Sequence, residues 1–195
     1  MSSLRILLVD NRDSFTWNLA HDLGRFGAEV DVRQAADWHA QDAEGYDGIV
    51  LSPGPGLPEE SEGLMALVHA WAPSRPILGV CLGLQALVEW SGGGLRQMGA
   101  VRHGRASLAL RRGPDPLLDA LPQEFEVGHY HSWCADRSAL PPDWKVTAEV
   151  KEDPTIVLAL RHEALPLHAV QFHPESVLTP RGREMLGAWL DTLRK

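Results

Sequence analysis

A cysteine at position 81 stands where a thiol could act as a nucleophile. It lies in Pro76-Ile77-Leu78-Gly79-Val80-Cys81-Leu82-Gly83-Leu84-Gln85. Residues 77–80 read as a buried strand, and a helical pattern with Leu84, Leu87 and Val88 opens at Leu82. A cysteine between the two, flanked by Gly79 and Gly83, occupies a sharp strand-to-helix turn. This is the logic of a nucleophile elbow, with sulfur in place of a serine oxygen. The turn exposes the side chain and aims a helix N-terminus at it, and the positive end of that helix favours thiolate over thiol. The competing reading of Cys81 is a buried structural cysteine.

A partner for the thiol comes late in the chain, in Leu167-His168-Ala169-Val170-Gln171-Phe172-His173-Pro174-Glu175-Ser176. The pattern predicts a strand that ends at His173, because Pro174 cannot continue a central strand. His173 then sits where active-site groups of open α/β sheets gather. Glu175 can reach one imidazole nitrogen and fix the tautomer, which leaves the other nitrogen to exchange a proton with a thiol. Cys–His–Glu is an arrangement for acyl transfer. Alone, His173 would read as a satisfied structural histidine; Cys81 and Glu175 together turn the reading toward catalysis.

A third segment, Ser52-Pro53-Gly54-Pro55-Gly56-Leu57-Pro58, is too rich in glycine and proline for regular structure. Its glycines let backbone N–H groups approach a ligand. With the N–H of Leu82 it could form an oxyanion hole, each donor worth roughly 3–4 kcal/mol of barrier. A phosphate loop is the weaker alternative, since no Gly-Lys-Ser/Thr follows and two prolines lack donors. His129-Tyr130-His131 with Cys134 invites a metal reading, but no acidic residue or second cysteine lies close by to complete a set, and no metal site is expected. Glu59, Glu60 and Glu62 are expected to cap the helix that follows them.

The elements that must position these groups alternate between strand and helix. Residues 4–9 are a continuous apolar run apart from Arg5, as in a buried parallel sheet. A helix is expected over 14–26, ended by Gly27, then strands over 29–33 and 48–51. Leu64, Leu67, Val68 and Trp71 fall at helical spacing. After Gly92-Gly93-Gly94, strand-like runs at 106–111, 125–129, 145–150 and 156–161 predict an antiparallel portion on one edge. Thr179-Pro180 is expected to open a last helix carrying Met185, Leu186, Trp189, Leu190 and Leu193 on one side. The fold class expected is α/β: a doubly wound, mostly parallel sheet with flanking helices, in a single domain over residues 1–195.

Composition narrows the partners. A chain of 195 residues with 44% hydrophobic content can bury a substantial core. A net charge of −8 argues against a nucleic-acid or anionic-membrane partner. No apolar stretch reaches spanning length, and residues 1–5 show no signal-peptide pattern. Two cysteines make no disulfide framework, and a cytoplasmic location is the economical expectation for a catalytic thiol that must stay reduced.

The cysteine, glycine–proline and histidine segments, in this order, resemble those of the class I (triad-type) glutamine amidotransferases. Asp10-Asn11-Arg12-Asp13-Ser14-Phe15-Thr16-Trp17-Asn18 and Tyr130-His131-Ser132-Trp133 are similar to segments of the anthranilate synthase and aminodeoxychorismate synthase glutaminase subunits. The resemblance extends from about Leu4 to about Trp189. It implies that Cys81 is the nucleophile, His173 the general base and acid, and Glu175 its orienter. It also implies that Gly54, Pro55 and Gly56 line a glutamine site with Gly56 and Leu82 as oxyanion donors. Gln85 would contact the glutamine head group, and the backbone of Ser132 and Trp133 would hold its α-amino and α-carboxylate groups. A separate chorismate-binding synthase subunit would use the ammonia. Two residues depart from the pattern. Leu84 stands where the family usually has His or Tyr, and Trp133 replaces a Leu, which alters a pocket wall while leaving a backbone role in place.

Overall fold

A strand as apolar as residues 6–9 is stable only with cover on both faces. In the computed structural model, which describes residues 3–37 and 43–194, that strand is β1 (Arg5–Asp10), in the interior of a nine-stranded sheet. Met1 and Ser2, part of the segment read for a targeting signal, lie outside the described residues, as does Lys195.

The sheet runs in the order β2 (Glu29–Gln34), β1, β3 (Gly48–Leu51), β4 (Ile77–Val80), β9 (Leu167–Val170), β8 (Val157–His162), β7 (Trp144–Val150), β5 (Leu95–Arg111), β6 (Glu124–Ala135). From β2 to β9 every neighbour is parallel. From β9 to β6 every neighbour is antiparallel. Alternation along each strand divides the core in two. Ile6, Leu8, Val50 and Leu78 pack with Leu19 and Leu23 of α1 (Thr16–Gly24) and with Met185, Leu186, Trp189 and Leu190 of α4 (Gly182–Leu193). Leu7, Val9, Ile49 and Leu51 pack on the other side with α2 (Leu64–Trp71) and α3 (Leu82–Trp90). Each fully buried leucine of these layers contributes about 1.5–3 kcal/mol. Among the described residues no helix is long and apolar enough to cross a membrane.

Several boundaries differ from the sequence pattern. Strand β9 stops at Val170, so His173 lies in the loop beyond it rather than at its last residue. Pro174 therefore does not end the strand. Helix α4 begins at Gly182 with Arg181 as its cap, not at Thr179-Pro180. The Thr179 hydroxyl is used elsewhere: it donates to the His173 carbonyl at 2.6 Å and accepts from the Gly128 N–H at 2.9 Å. Of the expected acidic caps, Glu60 folds back on its own turn and accepts from the Leu57 N–H at 2.8 Å, while α2 starts after Gly63 with no acidic residue in its first turn. Strands β5 and β6 are longer than the runs 106–111 and 125–129, because their outer residues mix polar and apolar types without a two-residue period.

Candidate active site

The loops that follow β1, β3 and β4 meet at one edge of the parallel half. Asn11 ties two of them together: its N–H donates to Ser52 Oγ and its side-chain amide to the Ser52 carbonyl, both at 2.9 Å. The third carries Cys81, which takes φ +53° and ψ −98°. A side chain at positive φ is strained, and neighbours must hold it there. Two glycines allow the strand and helix to close that tightly. A Cβ on Gly79 would lie 2.6 Å from the Gly83 carbonyl carbon, and one on Gly83 would lie 2.5 Å from the Leu51 carbonyl oxygen. The Cys81 N–H donates to the Val170 carbonyl at 2.8 Å, and its carbonyl accepts the first helical bond from Gln85 at 3.1 Å. Leu82 opens α3, so its N–H belongs to the first turn, whose donors have no partner within the helix.

His173 is fixed through its backbone and its ring. Its N–H donates to the Gly128 carbonyl at 3.1 Å, and Thr179 bridges the same two residues from the other side. The ring Nδ1 lies 2.7 Å from Glu175 Oε1, with both side chains buried. Tyr130 packs on the ring at 4.9 Å and Phe15 meets it edge-on at 5.6 Å. Nε2 makes no full-strength hydrogen bond among the described residues; the group that acts on it is Cys81. Burial works against charge on this imidazole. Hydrogen bonding and negative charge from Cys81 and Glu175 outweigh it and push the ring up to about 10 from the ordinary 6.5.

Gly54, Pro55, Gly56, Cys81, Gln85, Ser132 and Trp133 all line one cavity of about 190 Å³. Tyr130 and His131 complete its lining. Gly56 takes φ +73°, a conformation open to glycine, at the turn of the glycine–proline loop. The side chain of Leu82 is buried behind Gly54, where a Cβ would come within 2.6 Å of it. Gln85 donates its amide to the Trp133 carbonyl at 3.0 Å and toward Gln171 Oε1 at 3.4 Å. Ser132 falls at a break in the β5–β6 ladder, between the pairs Gln97–Trp133 and Arg102–His131. A larger hollow of about 510 Å³ adjoins the far side of Glu175 and Ser176, but Cys81 does not line it. Leu84 is fully buried among the α2–α3 side of the core.

The sequence pattern assigned no part in holding the site to Gln171, Thr179 or the Asn11–Ser52 pair. Gln171 is fully buried and donates to the Cys81 sulfur at 3.5 Å. The available signal was an amide beside the apolar run of β9, two residues before the histidine. Thr179 gave the opposite signal, since Thr-Pro looks like a helix cap.

Comparison with known proteins places the chain in a family. The family model described as glutamine amidotransferase class-I matches residues 7–192. Anthranilate synthase component 2 of Azospirillum brasilense is 40% identical over 193 residues, covering 97% of each chain. The aminodeoxychorismate/anthranilate synthase component 2 of Bacillus subtilis is 35% identical over 192 residues, again covering 97% of each. A solved Thermoplasma acidophilum structure shares the fold with a TM-score of 0.90 at 24% identity, covering 100% of this chain and 96% of that one. A family match across nearly the whole length, joined to relatives 35–40% identical over 97% of the chain, leads to one conclusion: the chain belongs to the class-I glutamine amidotransferases.

Proposed function

We propose that this chain is the glutaminase subunit of an anthranilate synthase, hydrolysing glutamine and passing ammonia to a chorismate-using synthase subunit. The observation that carries the reading is a buried His173–Glu175 pair acting on Cys81, which lines the 190 Å³ cavity together with the glycine–proline loop. Glutamine enters with its carboxamide at Cys81. The sulfur attacks the amide carbon, and the C=O electron pair moves onto oxygen. The N–H groups of Gly56 and Leu82 hold that oxyanion. His173, which keeps its proton through neutral pH, gives it to the leaving nitrogen as the C–N bond breaks. Ammonia departs and a γ-glutamyl thioester remains on Cys81. His173 then takes a proton from water, whose oxygen attacks the thioester carbon. Glutamate leaves, and the proton on His173 restores the starting pair.

At the head-group end, Gln85 has both amide hydrogens engaged, so its Oε1 is the atom that meets the ligand's α-amino group. The Trp133 carbonyl already accepts from His131 and Gln85. Ser132, outside the ladder, is the better backbone contact. Tryptophan biosynthesis in the cytoplasm, as a heteromeric complex, is the setting this reading implies. The runner-up partner is aminodeoxychorismate synthase, favoured by the Bacillus subtilis relative whose name carries both activities. An idle regulatory subunit would have no need of a strained cysteine at φ +53°.

The test is steady-state glutaminase activity, with and without a candidate synthase subunit and chorismate. The expected result is slow hydrolysis alone and a clear rise with the partner. Full activity of the isolated chain, unchanged by either addition, would favour a free-standing hydrolase.

A further inference from the structure

Ser107, His129 and His131 take no part in the chemistry above, yet they form a continuous hydrogen-bonded line. Ser107 Oγ lies 2.6 Å from His129 Nε2. His129 Nδ1 lies 3.0 Å from His131 Nε2. His131 Nδ1 lies 2.8 Å from the Trp133 carbonyl oxygen. Both rings are buried. The end of the line sets its direction. A carbonyl only accepts, so His131 Nδ1 carries a hydrogen. A neutral ring has one, so His131 Nε2 accepts and His129 Nδ1 donates to it. His129 Nε2 is then bare and accepts from the Ser107 hydroxyl.

The Trp133 carbonyl also accepts from Gln85, and Gln85 leads through Gln171 to the Cys81 sulfur. The line therefore joins β5 to the cavity wall at the point where the ladder is interrupted, opposite Ser132. A strand segment without its ladder partner needs another anchor to hold one geometry.

We propose that His129 and His131 are positioning residues: a one-way relay from Ser107 fixes the Trp133 carbonyl, and with it the Ser132–Trp133 wall that receives glutamine. This rests on the amidotransferase reading for its ligand, but not for its hydrogen-bond pattern.

Two measurements test it. Ring ¹⁵N–¹H correlation spectra of the wild-type protein at pH 8 should show both histidines with the hydrogen on Nδ1, the less common tautomer of a free ring. A hydrogen on Nε2 of either ring would overturn the relay, whatever the protein's activity. In the complex with its synthase, His129→Asn keeps a donor near the Nδ1 position, whereas His129→Leu does not. KM for glutamine should stay within about twofold for His129→Asn and rise about tenfold for His129→Leu, with a smaller fall in kcat. Equal KM values for the two variants would overturn the proposal. If His129→Leu fails to fold, the wild-type spectra decide alone. A complex that never uses glutamine would refute the amidotransferase reading instead and leave the tautomer result standing.

Discussion

His173 depends on its neighbours for its charge. Burial alone would lower the affinity of the ring for its proton, and Cys81 and Glu175 reverse that. Because the folded value of about 10 lies above the ordinary 6.5, the stabilisation is fully present below pH 6.5 and is lost as pH rises through about 10. An NMR titration of labelled histidine should find the His173 ring protonated through pH 8. Cys81→Ala should bring its midpoint down, since one of the two negative partners is gone. A midpoint near 6.5 in the wild-type protein would contradict this. His173 and Glu175 were legible at this scale because the pair is only two residues apart, a spacing that fixes its geometry. Gln171 was not legible as a neighbour of the sulfur, because its contact with Cys81 is made across ninety residues of sequence and exists only once β4 and β9 lie side by side.

Elements bring these residues to one place by two different routes. Cys81 is delivered locally: strand, turn and helix follow one another in sequence, so the elbow could be read from Gly79, Cys81 and Gly83. His173 is delivered by packing. It stands beyond the end of β9, and what holds it is a double attachment to Gly128 on β6, through its own N–H and through Thr179. That attachment could not be read from the sequence, where Thr179-Pro180 carries the signature of a helix start. Thr179→Val keeps the shape but removes the hydroxyl, leaving the Gly128 N–H without its acceptor and the His173 carbonyl without one of its donors. Stability should fall by about 1–3 kcal/mol in a denaturant titration, and glutamine turnover should fall with it. Thr179→Ser should recover most of both. A Val variant as stable and active as the wild type would show that the bridge does not position His173. The antiparallel strands were legible only in their apolar stretches. The first part of β5, with Arg96, Gln97, His103 and Arg105, has no alternation to read, and its pairing with β6 decides that it is a strand at all.

At the scale of the whole molecule, the doubly wound half builds one side of the proposed reaction site and the antiparallel half lines the other. β1, β3 and β4 end at Asn11, Ser52 and Cys81, while β6 supplies Gly128, Tyr130, Ser132 and Trp133 from across the sheet. The alternating pattern of the first half made the fold legible, because each buried parallel strand must be followed by a covering helix. The meeting of the two halves was legible only through the motifs that carry the family resemblance. On this account, the chain makes ammonia for chemistry that occurs elsewhere, so its loss should be separable from loss of synthesis. The most direct measurement uses the assembled complex carrying Cys81→Ala. The account predicts that glutamine-dependent synthesis falls by about three orders of magnitude or more while synthesis from added ammonia continues at the wild-type rate. Glutamine-dependent synthesis at the normal rate in that complex would contradict it.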